Sequence, residues 1–279
     1  MHATLLREGR RKAGVSARVR TPERHPAVAP SEQARKHHDE LFPGHVSTLA
    51  VTDPELIDSF DNFAFDEVLR HGDLDTRTRL MVQLAALIAI QGLSEYRVML
   101  GAALTAGVTP VEVKEVVYQA VPYAGMGKVF DFLHATNDVL TAHGVELPLE
   151  GQSTTTPDTR EQRGLAVQQE IVGAGVVDAM YAGAPADTLH IQRYLSANCF
   201  GDHYTRSGLD LRIRELLTFA MLIAMGGCEP QAKGHVAANL NVGNDRRTLL
   251  SAVTQLLPFI GYPRTLNAIR LIDEVVPAS

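Results

Sequence analysis

Apolar residues along the chain recur at three- and four-residue intervals, and no strict apolar–polar alternation bounded by turns appears. That period predicts helices and no strands. From Pro54 to Arg70 the apolar positions are Leu56, Ile57, Phe60, Phe63 and Val68, with Gly72 just beyond as a stop. Asp75 and Asp210 stand as N-caps before two strongly apolar helices that end near Gln91 and Met225. Ser94 and Glu229 open the next pair, and Gly107 and Gly243 close it. Thr109, Pro110 and Glu112 form a capping box with proline at the first helical position. The last helices run from about Gly127 to Thr141 and from Pro263 to Val275.

These elements come twice. Leu74, Asp75, Arg77 and Arg79 return 135 residues later as Leu209, Asp210, Arg212 and Arg214, and Gly92 returns as Gly227. Beyond that glycine the offset is 136, pairing Leu104 with Leu240, Gly107 with Gly243, Gln119 with Gln255 and Gly125 with Gly261. An offset held over that length marks a duplication. The expected fold is all-α: a pseudo-symmetric bundle of repeat 1 (31–149) and repeat 2 (159–279), joined by the polar linker 150–158. Leu80 to Ile90 is apolar around most of the helix, so it needs cover from the other repeat, another subunit or both.

Composition narrows the function classes. The longest apolar run, near Leu84 to Ile90, is far short of the roughly 18 residues of a membrane helix. Cys199 and Cys228 are too few for a disulfide framework, which fits a cytoplasmic protein. The first thirty residues carry +5 of an overall −6, leaving −11 on the body. They read as a disordered basic tail or an over-called start, and the acidic body argues against nucleic acid. His37, His38, His45, His71, His134, His143 and His190 lack ligand spacing, so no metal and no cofactor are expected.

The chemistry concentrates where the two copies differ in length. On a helical period Cys228, Gln231, His235, Asn239 and Val242 share one face. Thiol, imidazole and amides inside an apolar bundle need partners, which leaves two readings: a hydrogen-bonded core network or subunit contact, and a ligand pocket. Glu229 reads most simply as a first-turn acid favoured by the helix dipole. His203 lies in a polar stretch from Cys199 to Arg206 and is a candidate for lining the site. Arg77, Arg79, Arg212 and Arg214 recur in both copies and fit structural ion pairs.

Arg214-Glu215-Leu216, an apolar helix, Gly226-Gly227-Cys228-Glu229-Pro230-Gln231 and then His235 resemble the carboxymuconolactone decarboxylase and AhpD-like superfamily. Pro258, Gly261, Tyr262, Pro263 and Asn267 extend the resemblance, which covers nearly all of the chain except the tail. It implies that His235, Glu215 and Cys228 are the reactive groups, with Tyr262 walling the pocket; Gln231, Glu229, Asn239 and His203, candidates from the residues themselves, are placed around the substrate. The peroxidase branch uses Cys-x-x-Cys; here Gln231 replaces the second cysteine. The decarboxylase branch pairs a glutamate with a histidine four residues on; here Glu95 keeps the acid and His235 the base, in different repeats. The expected activity is cofactor-independent decarboxylation or isomerisation of a small carboxylated or lactone-type metabolite. A thiol peroxidase using Cys228, or a non-catalytic binding or assembly protein, is the alternative. Repeat 1, with Leu80, Leu93, Glu95 and Met99 at the matching positions, reads as a degenerate scaffold whose Glu95 is at most a helper. The resemblance also implies a homo-oligomer, dimer or trimer.

Overall fold

The computed structural model describes residues 29–45 and 47–278, and every regular element among them is helical. The basic tail expected over residues 1–30 lies almost wholly outside them. Repeat 1 contains α1 (Glu32–Leu41), α2 (Leu49–Thr52), α3 (Pro54–Asn62), α4 (Thr76–Ala89), α5 (Leu93–Thr105), α6 (Pro110–Ala124) and α7 (Met126–Ala142). Repeat 2 contains α8 (Arg160–Val172), α9 (Ala174–Gly183), α10 (Leu189–Tyr194), α11 (Leu211–Met225), α12 (Glu229–Asn241) and α13 (Arg246–Val275). Helix α13 corresponds to α6 and α7 together: it bends at Gly261, φ 76°, as the chain turns between those two helices at Gly125, φ 84°. No helix among the described residues is long and apolar enough to cross a membrane.

Local capping chemistry sets the helix starts. Asp75 accepts the Thr78 N–H at 3.0 Å and Asp210 the Ile213 N–H at 2.8 Å. Thr109 and Glu112 close a reciprocal capping box. Each cap satisfies N–H groups that the first turn leaves without intrahelical partners.

The expected helix from Pro54 to Arg70 is broken. Helix α3 ends at Asn62, a π-helical segment covers Phe63–Glu67, and a 3₁₀ turn covers Val68–His71. The counterpart in repeat 2 is a longer π-helical segment, Leu195–Tyr204. There α8 approaches so closely that a Cβ on Gly164 would lie 1.9 Å from the Ser196 carbonyl oxygen. A Cβ on Gly201 would lie 2.2 Å from that of Arg160. A π turn holds an extra residue, so side chains beyond it leave the face that a 3.6-residue period assigns.

Helices α4 and α11 pack against each other at the centre, with Leu80 to Ala89 and Arg214 to Ala224 buried without interruption. Their cover is shared between repeats: α6 of repeat 1 and α13 of repeat 2 each pack on both α4 and α11. The all-round apolar helices are therefore enclosed within one chain. Polar ties cross both contacts between the repeats. Gln83 donates to the Gln255 carbonyl at 3.3 Å on one side, and Gln119 donates to Thr218 Oγ1 at 3.1 Å on the other.

The length difference between repeats falls in the turn before α5 and α12. Gln91, φ 63°, leads into the N-cap Gly92 in repeat 1. In repeat 2 Gly226 and Gly227, φ 70° and 73°, lead into the N-cap Cys228. Cap position thus pairs Cys228 with Gly92, not with Leu93 as sequence spacing has it.

Candidate active site

Helix α11 carries Glu215 in its buried second turn, and α12 carries His235 near its middle. The two helices pack so that His235 Nδ1 and Glu215 Oε2 lie 2.7 Å apart. Glu215 has no exposure, while the His235 side chain keeps 16%. A carboxylate accepts, so Nδ1 carries the proton and Nε2 is the basic nitrogen. Glu215 Oε1 is buried without a partner.

Repeat 1 completes this site. Tyr123, from the last turn of α6, sets its ring edge-on to the His235 ring with centroids 5.8 Å apart. Its hydroxyl meets Tyr204 Oη at 2.9 Å and accepts from Cys199 Sγ at 3.7 Å. Tyr204 Oη lies 2.7 Å from Thr218 Oγ1, which also accepts from Gln119. The row continues through Gln119 Oε1 to Arg214 Nη1 at 3.0 Å and from Arg214 Nη2 to Glu115 Oε2 at 2.8 Å. Burial, with the charges of Cys199 and Glu215, raises the Tyr123 hydroxyl pKa well above its ordinary value. Tyr204 is raised by burial and by Glu215. Both phenols therefore stay protonated and act as donors at neutral pH.

The other expected site residues separate into three groups. Asn239 is fully buried and structural: its amide nitrogen donates to the Glu215 carbonyl at 3.0 Å and the His235 carbonyl at 2.7 Å, and its oxygen accepts from Asn244 at 2.8 Å. It holds α12 against α11 with no amide hydrogen left for a substrate. Cys228 and Glu229 sit at the start of α12, where Cys228 donates to the Leu222 carbonyl at 3.3 Å and Glu229 accepts the Gly227 N–H at 3.2 Å. Burial, then the Glu229 charge, pushes the Cys228 thiol up. Gln231 is exposed one turn before His235, and Tyr262 is 62% exposed and so encloses nothing within the chain. His203 belongs to the far end of the polar row, since its charged neighbours are Asp202, Arg206, Arg214 and Glu115.

Sequence reasoning missed Tyr123, Tyr204, Thr218 and Cys199 as parts of one cluster. The repeat comparison held the signal: at the 135 or 136 offset Tyr123 faces Phe259 and Cys199 faces Ala64, just as Glu215 faces Leu80 and His235 faces Met99. Glu215, His235 and Cys199 thus have apolar counterparts in repeat 1, of which Leu80 and Met99 are buried, whereas Thr218 matches Gln83. Burial pushes the Cys199 thiol up to about 12, which keeps it protonated at neutral pH.

Residues 54–138 and 190–274 each match the carboxymuconolactone decarboxylase family, together well over half of the chain. The chain belongs to that family. It is also similar to a 4-carboxymuconolactone decarboxylase of Acinetobacter baylyi (strain ATCC 33305 / BD413 / ADP1), 26% identical over 118 residues. That stretch is 42% of this chain and 87% of the relative. A single family unit thus corresponds to about one repeat, and this family member carries two in tandem.

Proposed function

We infer that this tandem carboxymuconolactone decarboxylase family member is a cofactor-independent acid–base enzyme, a carboxy-lyase or isomerase for a small carboxylated or lactone-type metabolite. The observation that carries the reading is the Glu215–His235 pair, part-accessible at the imidazole and buried at the carboxylate. Glu215 fixes the imidazole tautomer and stabilises the imidazolium that forms when Nε2 takes a proton. In a decarboxylation Nε2 takes the proton of the substrate's carboxylic acid, loss of CO₂ leaves the bonding pair as an enolate, and the imidazolium returns that proton to the α carbon. Tyr123 is a neutral donor beside the imidazole, suited to developing negative charge. The relative's name supports the carboxy-lyase half of the reading.

The test is turnover of small carboxylated lactones, followed as CO₂ release and by NMR of the product. His235→Ala is expected to lower the rate about 10²- to 10⁴-fold. Met99→Ala is expected to keep the turnover and lose about 2–5 kcal/mol of stability, because Met99 is 1% exposed in the core. Unchanged turnover in His235→Ala would remove the assignment. The thiol alternative finds no support in the raised pKa values of Cys199 and Cys228.

A cytoplasmic homo-oligomer is part of the same reading. Met126 and Phe130 in repeat 1 and their counterparts Tyr262 and Leu266 in repeat 2 are all more than half exposed. Large apolar side chains exposed at the same two positions of both repeats suit a second copy that meets each repeat alike.

A further inference from the structure

A cavity of about 310 Å³ lies away from His235, between α6, Asn137 of α7, Arg206 and the segment 147–152 that leads into the linker. Its lining holds two cations, Lys114 and Arg206, and two carboxylates, Glu115 and Glu150. Glu115 in its wall already neutralises one of two guanidiniums, since Arg206 Nε lies 2.9 Å from Oε1 and Arg214 Nη2 lies 2.8 Å from Oε2. Lys114 adds a second cation, hydrogen-bonded to the neutral Asn137. Glu150 is the other charged group of the lining, which is neutral by formal count; the buried Arg214 behind Glu115 adds one positive charge. Between the cations lies the Tyr118 ring, 5.9 Å from Lys114 Nζ and 5.1 Å from the Arg206 guanidinium carbon. Val111, Leu147, Pro148 and Leu149 make the rest of the wall apolar.

The duplicated groove on repeat 2 lacks the aromatic face and the apolar cover. There Leu250 stands at the Lys114 position, Ser251 at Glu115 and Thr254 at Tyr118, by the 136 offset. Arg70, His71 and Arg247 border it, and no segment like 147–152 lines it. The cation, the aromatic face and the apolar cover are thus together only on repeat 1.

We propose that the cavity over Tyr118 is a second ligand site, distinct from the His235 site, for a small organic monocarboxylate with an apolar or aromatic body. Its carboxylate pairs with Lys114 and the Arg206 side of the Glu115 cluster. Its body lies between Tyr118 and Leu147–Leu149, where burial of apolar surface adds to the charge pairing. A volume near the lower end of small-molecule pockets limits the ligand to the size of a simple aromatic acid.

The test is calorimetric titration of the full chain with benzoate at fixed ionic strength, with acetate and benzyl alcohol as probes that keep only the charge or only the ring. The expected result is saturable, one-to-one benzoate binding, at least about tenfold tighter than either probe. Lys114→Met and, independently, Tyr118→Leu weaken it by a similar factor, while His235→Ala leaves it intact. Circular dichroism establishes that each variant is folded, and Lys114→Gln replaces Lys114→Met if the latter is not. Three results overturn the site: no saturable benzoate binding at millimolar concentrations, equal binding of acetate or benzyl alcohol, or binding lost in His235→Ala but kept in the Lys114 variant.

Discussion

Removing the charge of Glu115 should destabilise the protein more than its place at the end of a helix-packing contact suggests. Glu115 is 1% exposed and Arg214 has no exposure, and their 2.8 Å contact joins α6 of repeat 1 to α11 of repeat 2. In Glu115→Gln, Arg214 keeps Gln119 Oε1 at 3.0 Å and the Arg206 carbonyl at 3.0 Å but has no counter-charge. Burial already lowers the Arg214 pKa, with Glu115 as the opposing influence, so the guanidinium there depends on its partner. Breaking a buried pair from one side costs about 3–5 kcal/mol, a large part of a total stability of about 5–15 kcal/mol. Urea unfolding followed by far-UV circular dichroism measures the loss, with the m-value checked for constancy. Arg206→Met should cost less, since that side chain retains 17% exposure and its solvent contact. In a double-mutant cycle Glu115→Gln and Arg214→Met should couple by about 1–3 kcal/mol. A loss below about 1 kcal/mol for Glu115→Gln, or simple additivity in the cycle, would refute the claim that this pair ties the repeats.

Other perturbations test separate parts of the description. Burial lowers the His203 pKa, so the folded chain favours neutral imidazole; that contribution is whole above the unfolded value near ~6.5 and is lost as pH falls through the lower folded value. The urea midpoint should therefore drop more between neutral and mildly acidic pH for the wild type than for His203→Gln, and parallel pH curves would count against it. Cys228 should react with iodoacetamide more slowly than free cysteine at pH 8, because its thiol is raised; mass spectrometry of the labelled chain gives the rate, and faster labelling would reopen the thiol reading. Sedimentation should show more than one chain per particle, and Phe130→Glu with Leu266→Glu should reduce the particle to a single chain. A monomeric wild type would contradict the oligomer.

How much of this was legible in sequence depends on whether the interaction is local. Asp75, Asp210 and Thr109 announced their helices because a cap joins a side chain to N–H groups two or three residues away. The duplication was plain from a fixed offset. The Glu215–His235 pair could be anticipated, since resemblance supplied both residues and consecutive helices brought them together. Tyr123 could not be reached that way: it comes from the other repeat, and no period within repeat 2 points to it. Tyr204 and Cys199 lie on a π-helical segment, where side chains do not keep the faces that a 3.6-residue period assigns. Asn239 was placed on the right face and given the wrong task, because periodicity says which residues share a side and not that the side meets the Glu215 carbonyl.

The packing of α6 and α13 across the boundary between repeats has a consequence for how the two halves can diverge. Two identical chains joined by a symmetry axis must put the same side chain at both ends of their shared surface; a tyrosine useful at one end is imposed on the other. Joining the copies in one chain lifts that obligation. Position 123 can be tyrosine while position 259 is phenylalanine, and 235 histidine while 99 is methionine. Every acidic or basic group taken out of one end can be replaced there by close-packed hydrocarbon, without loss to the other. The end with Leu80 and Met99 can close completely over hydrocarbon, and the end with Glu215 and His235 is free to stay polar and part-open.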